Sequence, residues 1–140
     1  MSEVHRETRA DGSLTLSSEH CRFVYSRPRS GSLLVTISGD DHGQFGTATL
    51  DEIRLELLRQ RPLELFVDAS EATGAAVSVS RDWTQFFALN REHLKRVSVL
   101  VGSQLMQLTI AIAQELSRTG NLIQITSDPD TFASRLAGRP

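Results

Sequence analysis

Polar residues that could bind a metal ion follow several of the apolar segments in this sequence. They are four carboxylates, one imidazole and one hydroxyl: Asp40, Asp41, His42, Asp68, Ser103 and Asp128. If the segments are parallel strands, these groups lie at one edge of a sheet, where open α/β sheets usually bind ligands. Carboxylates and imidazoles bind divalent cations. However, the spacing matches no metal motif, and Asp and Ser are common in turns and helix caps. We therefore predict structural roles for them, with no metal site and no cofactor.

Acid–base and nucleophilic chemistry has less support still. His93 could exchange protons near neutral pH, but its charged neighbours indicate a solvated helix end. A Ser–His–Asp hydrolase would need a Gly-x-Ser-x-Gly turn, which the sequence lacks. A phospho-accepting receiver domain, with Asp68 as acceptor, would need another helix–strand unit after Asp41 and a late Lys. We predict no catalytic residues and no enzymatic activity.

Three aromatic residues form the group with the clearest functional potential. Trp83, Phe86 and Phe87 are spaced i, i+3 and i+4, so on a helix they form a broad apolar face. The preceding residues, 74–77, are small and apolar, and we predict that they form a loop. This segment could cover a pocket for a lipid or other apolar ligand, or form a dimer face. Ordinary core packing of the aromatic rings is the alternative explanation.

Composition narrows the class of protein. The 140 residues carry a net charge of −2, with basic residues scattered along the chain, which argues against nucleic-acid binding. Cys21 is the only cysteine, so no intramolecular disulfide can form. The polar start is unlike a secretory signal, and no segment has the ~20 apolar residues of a transmembrane helix. We predict a cytoplasmic protein.

The first half of the chain reads as a flexible arm, a hairpin and a helix. Residues 1–18 lack a sustained period, although Leu14 and Leu16 alternate as in a short strand. Strands are predicted at residues 20–25 and 33–38, with a Pro/Gly turn between them. A capping box predicts a helix that begins near Thr49 and ends before Pro62. The predicted cap and inner face of this helix comprise Thr49, Leu50, Glu52, Ile53, Leu57 and Leu58.

The second half alternates strands with helices. Strands are predicted at residues 63–67, 96–101 and 122–126. The helix between the first two of these strands is predicted to begin at a cap from Ser78 or Ser80. The helix between the last two is predicted to span residues 105–116. Asp128 before a proline predicts the last helix, whose inner face includes Phe132. This order predicts an α/β domain over residues 19–140, with a mixed five-stranded sheet, about four helices and parallel right-handed crossovers.

The order of elements resembles the STAS fold of anti-sigma-factor antagonists and sulfate-transporter tails, and more narrowly the SpoIIAA-like family, which is related in architecture to Sec14-type lipid-binding domains. The residues that carry the resemblance are Val67-Asp68, Gly74, Arg81-Asp82-Trp83, the stretch from Arg91 to Val97, Val99 to Gly102, and Asp130-Thr131-Phe132. The resemblance spans roughly residues 20–137 through patterns of apolar, Asp, Trp and His positions. It implies a bacterial regulatory or binding module.

The resemblance also implies where such a module would act. In the antagonist branch, a partner kinase phosphorylates a serine after the third strand, and that position falls on Ser78 here. Ala76 and Val79 replace the flanking Asp and Gly of that motif. We expect a non-enzymatic module that holds a lipid or other apolar ligand. The alternative is a phosphoswitch at Ser78 that controls binding of a protein partner. A second copy of the chain, giving a homodimer, is a further possible partner. The expected ligand-binding residues are Asp68, Gly74, Val77, Trp83, Phe86 and Phe87.

Overall fold

A computed structural model describes residues 4–102 and 122–138 of the chain. The described residues form one seven-stranded sheet, in which the strands follow chain order from β1 to β7. The strands are β1 (His5–Thr8), β2 (Leu14–Ser17), β3 (Cys21–Ser26), β4 (Ser32–Asp41), β5 (Leu63–Ala75), β6 (Leu94–Val101) and β7 (Ile123–Thr126). The helices are α1 (Ala48–Arg59), α2 (Val77–Leu89) and α3 (Pro129–Leu136), with a 3₁₀ turn at Arg91–His93.

The sheet is antiparallel from β1 to β4 and parallel from β4 to β7. The hairpin of β3 and β4 and the parallel later strands confirm the predicted mixed α/β sheet. The prediction of five strands is wrong, because β1 and β2 lie in the segment predicted as an arm. Leu14 and Leu16 face Tyr25 and Phe23 across the β2–β3 ladder and are buried. Their burial explains why this short segment joins the sheet.

The described residues contain three α-helices where about four were predicted. The predicted helix at residues 105–116 lies outside the described residues, as does Ser103. No helix within the described ranges is long and apolar enough to cross a membrane.

Helix α1 follows its predicted apolar face over most of its length. Leu50, Ile53 and Leu57 are buried, whereas Leu58 is 76% exposed. Leu58 lies 100° further around the helix than Leu57 and therefore falls outside the face that contacts the sheet. The predicted capping box is wrong, because the helix begins one residue before Thr49 and its cap position has no side-chain hydrogen bond.

Strand β5 is much longer than the predicted strand at residues 63–67. It continues to Ala75 because β4 is also long, and the two strands pair as far as Asp41 and Ala75, with register shifts between Thr36 and Asp40. The predicted small-residue loop around Gly74 is therefore mostly the end of a strand. Helix α2 begins directly afterwards, and its cap position, Ala76, makes no side-chain hydrogen bond, so the predicted serine caps are wrong.

The core has one layer of side chains on each face of the sheet. Helices α1 and α2 pack on one face, and helix α3 packs on the other, where Phe132 contacts Phe66 and Leu100. The predicted start of α3 is confirmed, because the Asp128 carboxylate accepts a hydrogen bond of 3.1 Å from the Asp130 N–H. Both helices that follow β4 and β5 thus cover the same face.

Candidate functional site

The three predicted aromatic residues fix helix α2 to the sheet. Phe86 and Phe87 are 1% and 7% exposed, whereas Trp83 is half-buried. The Trp83 ring stacks on Phe23 at 6.3 Å between centroids and meets Phe87 edge-on at 5.9 Å. Phe23 in turn contacts Phe45 at 5.3 Å. Aromatic pairs of this kind contribute ~0.5–1.5 kcal/mol each beyond their buried area, so this cluster stabilises the α2 face of the core.

A groove of about 270 Å³ runs between α1 and α2, close to the end of β4. Its apolar lining consists of Leu50 from α1 and of Val79, Trp83, Phe86 and Leu89 from α2. Its polar lining consists of Asp41, Thr47, Thr49, Arg54, Asp82 and Gln85, with Gly46 among them. The groove therefore combines an apolar strip with charged groups of both signs.

Arg54 connects the two helices across this groove. Its guanidinium carbon lies 5.2 Å from the centre of the Phe86 ring, a cation–π distance. The same guanidinium donates a hydrogen bond of 2.7 Å to the Asp51 carboxylate. Phe86 is thus covered by the sheet core on one side and by a charged group on the groove side.

Ser78 lies in the first turn of α2, next to the groove. Ser78 is exposed, and the preceding residue, Val77, is 75% exposed. The cap residue Ala76 donates its N–H to the Asp41 carbonyl at 2.9 Å, and its carbonyl accepts from the Ser80 N–H at 3.0 Å. This helix start has neither a capping side chain nor an acidic residue in its first turn.

The predicted ligand-binding residues do not all come together. In β5, Phe66 belongs to the α3 side of the core and Val67 to the α1–α2 side, so by alternation Asp68 faces α3. Trp83, on α2, lies across the sheet from it. The Asp68 carboxylate accepts hydrogen bonds from the Ser70 hydroxyl at 2.6 Å and the Ser70 N–H at 3.1 Å. These two bonds lie within β5, at the register shift between the Thr36–Asp68 and Ser38–Glu71 pairs of the β4–β5 ladder.

The acidic residues predicted at one edge are also separated. Asp41 pairs with Ala75, which is seven residues beyond Asp68 and therefore roughly 20 Å further along β5. Gly74 lies beside Asp40, whose carboxylate oxygen would be 3.1 Å from an added Cβ. Within the described residues, no group of three or more His, Cys, Asp and Glu side chains is arranged for a metal ion.

Asp41 is the most unusual titratable group beside the groove. Its residue is only 5% exposed, and burial raises the pKa of its carboxyl, although a hydrogen bond of 3.1 Å from the Gly43 N–H opposes the shift. Burial raises the pKa of the Cys21 thiol to about 12, with a further contribution from the negative charge of Asp41. Burial likewise raises the pKa of Tyr25, whose hydroxyl donates to the Thr49 carbonyl at 2.8 Å. These groups form a poorly solvated interior.

His93 directly precedes β6 and therefore lies at the opposite edge of the sheet from Asp41, which ends β4. It lies in the 3₁₀ turn after α2, and its backbone N–H donates to the Asn90 carbonyl at 2.9 Å. Helix α2 ends at Leu89, so His93 is not on the helix that carries Trp83. Sequence reasoning missed the contribution of α1 to the groove, because Arg54 and Thr47 have no signal of their own until the two helices are placed side by side.

Comparison with known proteins identifies the fold. No family model and no curated protein matches the sequence. Among solved structures, an uncharacterized DUF3478-family protein with a SpoIIAA-like fold from Shewanella loihica PV-4 is similar, with a TM-score of 0.59, 16% identity, and coverage of 86% of this chain and 97% of that one. An anti-sigma factor antagonist from Mycobacterium paratuberculosis is also similar, with a TM-score of 0.57, 16% identity, and coverage of 94% and 99%. The chain therefore has the SpoIIAA-like fold of the STAS type, as the sequence predicted.

Proposed function

We propose that the protein is a non-enzymatic regulatory module that binds a partner protein in the groove between α1 and α2. The observation that carries the proposal is the composition of this groove, in which an apolar strip is bordered by Arg54 and Asp82. The likeness to an anti-sigma factor antagonist, a kind of protein whose name implies a protein partner, supports the same class of function.

The groove has the features of a small protein interface. Val79 and Trp83 supply apolar area that a partner side chain can cover, and Arg54 and Asp82 supply opposite charges that can orient it. Protein interfaces combine an apolar centre with a polar rim, and Trp and Arg are enriched among the residues that dominate binding. A partner segment with one or two apolar side chains and a charged flank fits this arrangement.

An enclosed site for an apolar small molecule has weaker support. Cavities that bind small ligands usually measure ~300–1,000 Å³, and this groove, at about 270 Å³, lies just below that range and is partly open to solvent. Phe86 and Phe87, expected to contact a ligand, direct most of their surface into the core. A lipid or other apolar ligand that contacts Val79, Trp83 and Phe86 is the second candidate, because these three side chains do line the groove together.

Phosphorylation of Ser78 is our proposed means of control. A phosphate in the first turn of α2 would lie near the uncapped backbone amides and the positive end of the helix dipole, which favour it. It would also add negative charge one turn before Asp82, at the border of the groove. The expected result is a change in partner affinity without a change in the fold.

Two pairs of variants test this proposal. The partner is first isolated with the full chain from its own host, purified, and titrated against each variant. Gln85→Lys places bulk and charge in the groove and should weaken binding at least tenfold, equivalent to ~1.4 kcal/mol. Ala88→Lys is the matched control, because Ala88 is an exposed α2 residue outside the groove lining and should bind normally.

The control of binding is tested in the same titration. Ser78→Asp should change the affinity, whereas Ser80→Asp, in the same first turn, should change it much less. Equal effects of Gln85→Lys and Ala88→Lys would show that the partner binds elsewhere. Equal effects of Ser78→Asp and Ser80→Asp would remove the specific role of Ser78.

A further inference from the structure

Basic residues are concentrated at one edge of the sheet, where the parallel strands begin. Three stretches meet there: residues 27–31 before β4, residues 59–62 before β5, and residues 90–96 at the start of β6. Together they contain seven Arg or Lys residues and a single acid, Glu92. We call these three stretches the basic edge. The whole chain has a net charge of −2, so this edge is opposite in sign to the protein as a whole.

The acids nearest the basic edge are buried under it. The side chains of Glu56 and Glu64 are 3% and 12% exposed and already form ion pairs. Glu56 accepts a hydrogen bond of 3.0 Å from Arg27, and Glu64 accepts one of 2.6 Å from Arg29. The Arg59 side chain, in contrast, is 66% exposed. Glu92 is the one exposed acid of the basic edge, and the exposed Arg59, Arg61 and Lys95 outnumber it, so the described surface of this edge is positive.

Two exposed leucines lie on the same edge. Leu58 is 76% exposed near the end of α1, and Leu89 is 74% exposed at the end of α2. Both helices follow parallel strands and return across the sheet, so both end at the basic edge. Both leucine side chains bury little area within the chain, and Leu89 also belongs to the lining of the groove.

We propose that the basic edge binds the surface of a membrane that contains anionic phospholipids. The exposed Arg59, Arg61 and Lys95 would contact headgroup phosphates, and Leu58 and Leu89 would enter the boundary between headgroups and acyl chains. A bilayer fits better than an acidic protein segment, because exposed leucines beside basic residues match the boundary between charged headgroups and acyl chains. The described part of the basic edge presents loops and helix ends. The start of α2, with Ser78, lies at the opposite edge and stays accessible.

The experiment is co-sedimentation of the full chain with vesicles. Vesicles of equal parts phosphatidylglycerol and phosphatidylcholine should bind the protein at low salt, and vesicles of phosphatidylcholine alone should not. Each neutralised basic residue should weaken binding about fivefold, so Arg61→Gln with Lys95→Gln should weaken it roughly 25-fold. Arg22→Gln with Arg81→Gln is the matched control, since both residues are exposed and lie outside the basic edge. It should bind nearly as well as the wild type.

Leu58 provides an independent readout. Leu58→Ser, outside the lining of the groove, should reduce the binding that survives at high salt, where charge attraction is screened. If Arg22→Gln with Arg81→Gln weakened vesicle binding as much as Arg61→Gln with Lys95→Gln, the assignment of binding to the basic edge would be overturned. Absence of binding to phosphatidylglycerol vesicles would overturn the proposal, and binding of polyglutamate at the basic edge instead would assign it to an acidic protein partner.

Discussion

Replacement of Phe86 by alanine separates a core role from a ligand-binding role for the aromatic residues of α2. Phe86 is 1% exposed, its ring lies 5.9 Å from that of Phe87, and Arg54 covers it from the groove side. Truncation of a buried phenylalanine usually costs ~3–5 kcal/mol, because transfer energy is lost and a cavity remains. The loss of the ring pair and of the cation–π contact places Phe86→Ala in the upper half of that range.

The magnitude should be large relative to the stability of the whole domain. Domains of this size unfold with ~5–15 kcal/mol, so the variant should retain its fold with a much lower urea midpoint. Leu89→Ala is the matched control on the same helix. Leu89 is 74% exposed, so its truncation should change the free energy of unfolding by no more than ~0.5 kcal/mol.

Equilibrium urea unfolding followed by fluorescence is the assay, because Trp83 is the only tryptophan and lies in the same cluster. The wild type and both variants keep this reporter. A loss of less than ~1 kcal/mol in Phe86→Ala would refute the argument, since it would mean that the ring is not packed as a core residue. Its surface would then be available to a ligand.

Three further predictions concern the interior near the end of β4. Gly39→Ala should lower the free energy of unfolding in urea by at least ~3 kcal/mol, because Gly39 has φ +89° and an added Cβ would lie 2.0 Å from the His20 carbonyl oxygen. Gly12→Ala is the matched control, because Gly12 has φ +88° but open space around an added Cβ. It should cost only the ~1 kcal/mol of backbone strain. The raised pKa of Asp41 means that the folded state binds a proton more tightly than the unfolded state, so its contribution to stability is present below the ordinary carboxyl pKa and is lost as the pH rises through the raised value. Asp41→Asn should remove this contribution to the pH dependence of the free energy of unfolding, measured by urea unfolding at several pH values. If the variant and the wild type showed the same pH dependence, the prediction would be contradicted. Cys21, which is buried with a pKa of about 12, should react with a thiol reagent at neutral pH only after urea unfolding, and rapid reaction of the folded protein would show that it is accessible.

The parallel half of the fold could be predicted because its strands and helices have strong local signals. Residues 63–67 and 96–101 are mainly apolar, with Glu64, Arg96 and Ser98 as their polar members, as expected for strands covered on both faces. Asp128 before proline marks the start of α3 through a cap that needs only local residues. These elements depend little on the rest of the chain.

The extension of β5 could not be predicted from local residues. Residues 69–75 are small or polar and mostly exposed, and they form a strand because β4 offers backbone partners as far as Asp41. Strand β1 depends in the same way on β2, to which it pairs along its whole length. Pairing between distant segments contributes hydrogen bonds that no single window of sequence reveals.

The candidate site was predicted in part. The sequence identified the aromatic face of α2, but the spacing of the three residues could not separate those in the core from those in the groove. In the structure, Phe86 and Phe87 are buried, whereas Trp83 is half-buried. The opposite wall of the groove, with Arg54 on α1, depends on how two helices lie beside each other on the sheet. The face of β5 on which Asp68 lies also required the placement of the helices.

Native mass spectrometry of the full chain purified from its own host tests the central claim most directly. Wild type, Gln85→Lys and Ala88→Lys are compared under native and then denaturing conditions. We predict that wild type and Ala88→Lys retain the same partner protein, that Gln85→Lys does not, and that denaturation releases no small molecule. A small apolar molecule released on denaturation of the wild type, with no partner protein in any sample, would contradict the account and favour a ligand-holding groove.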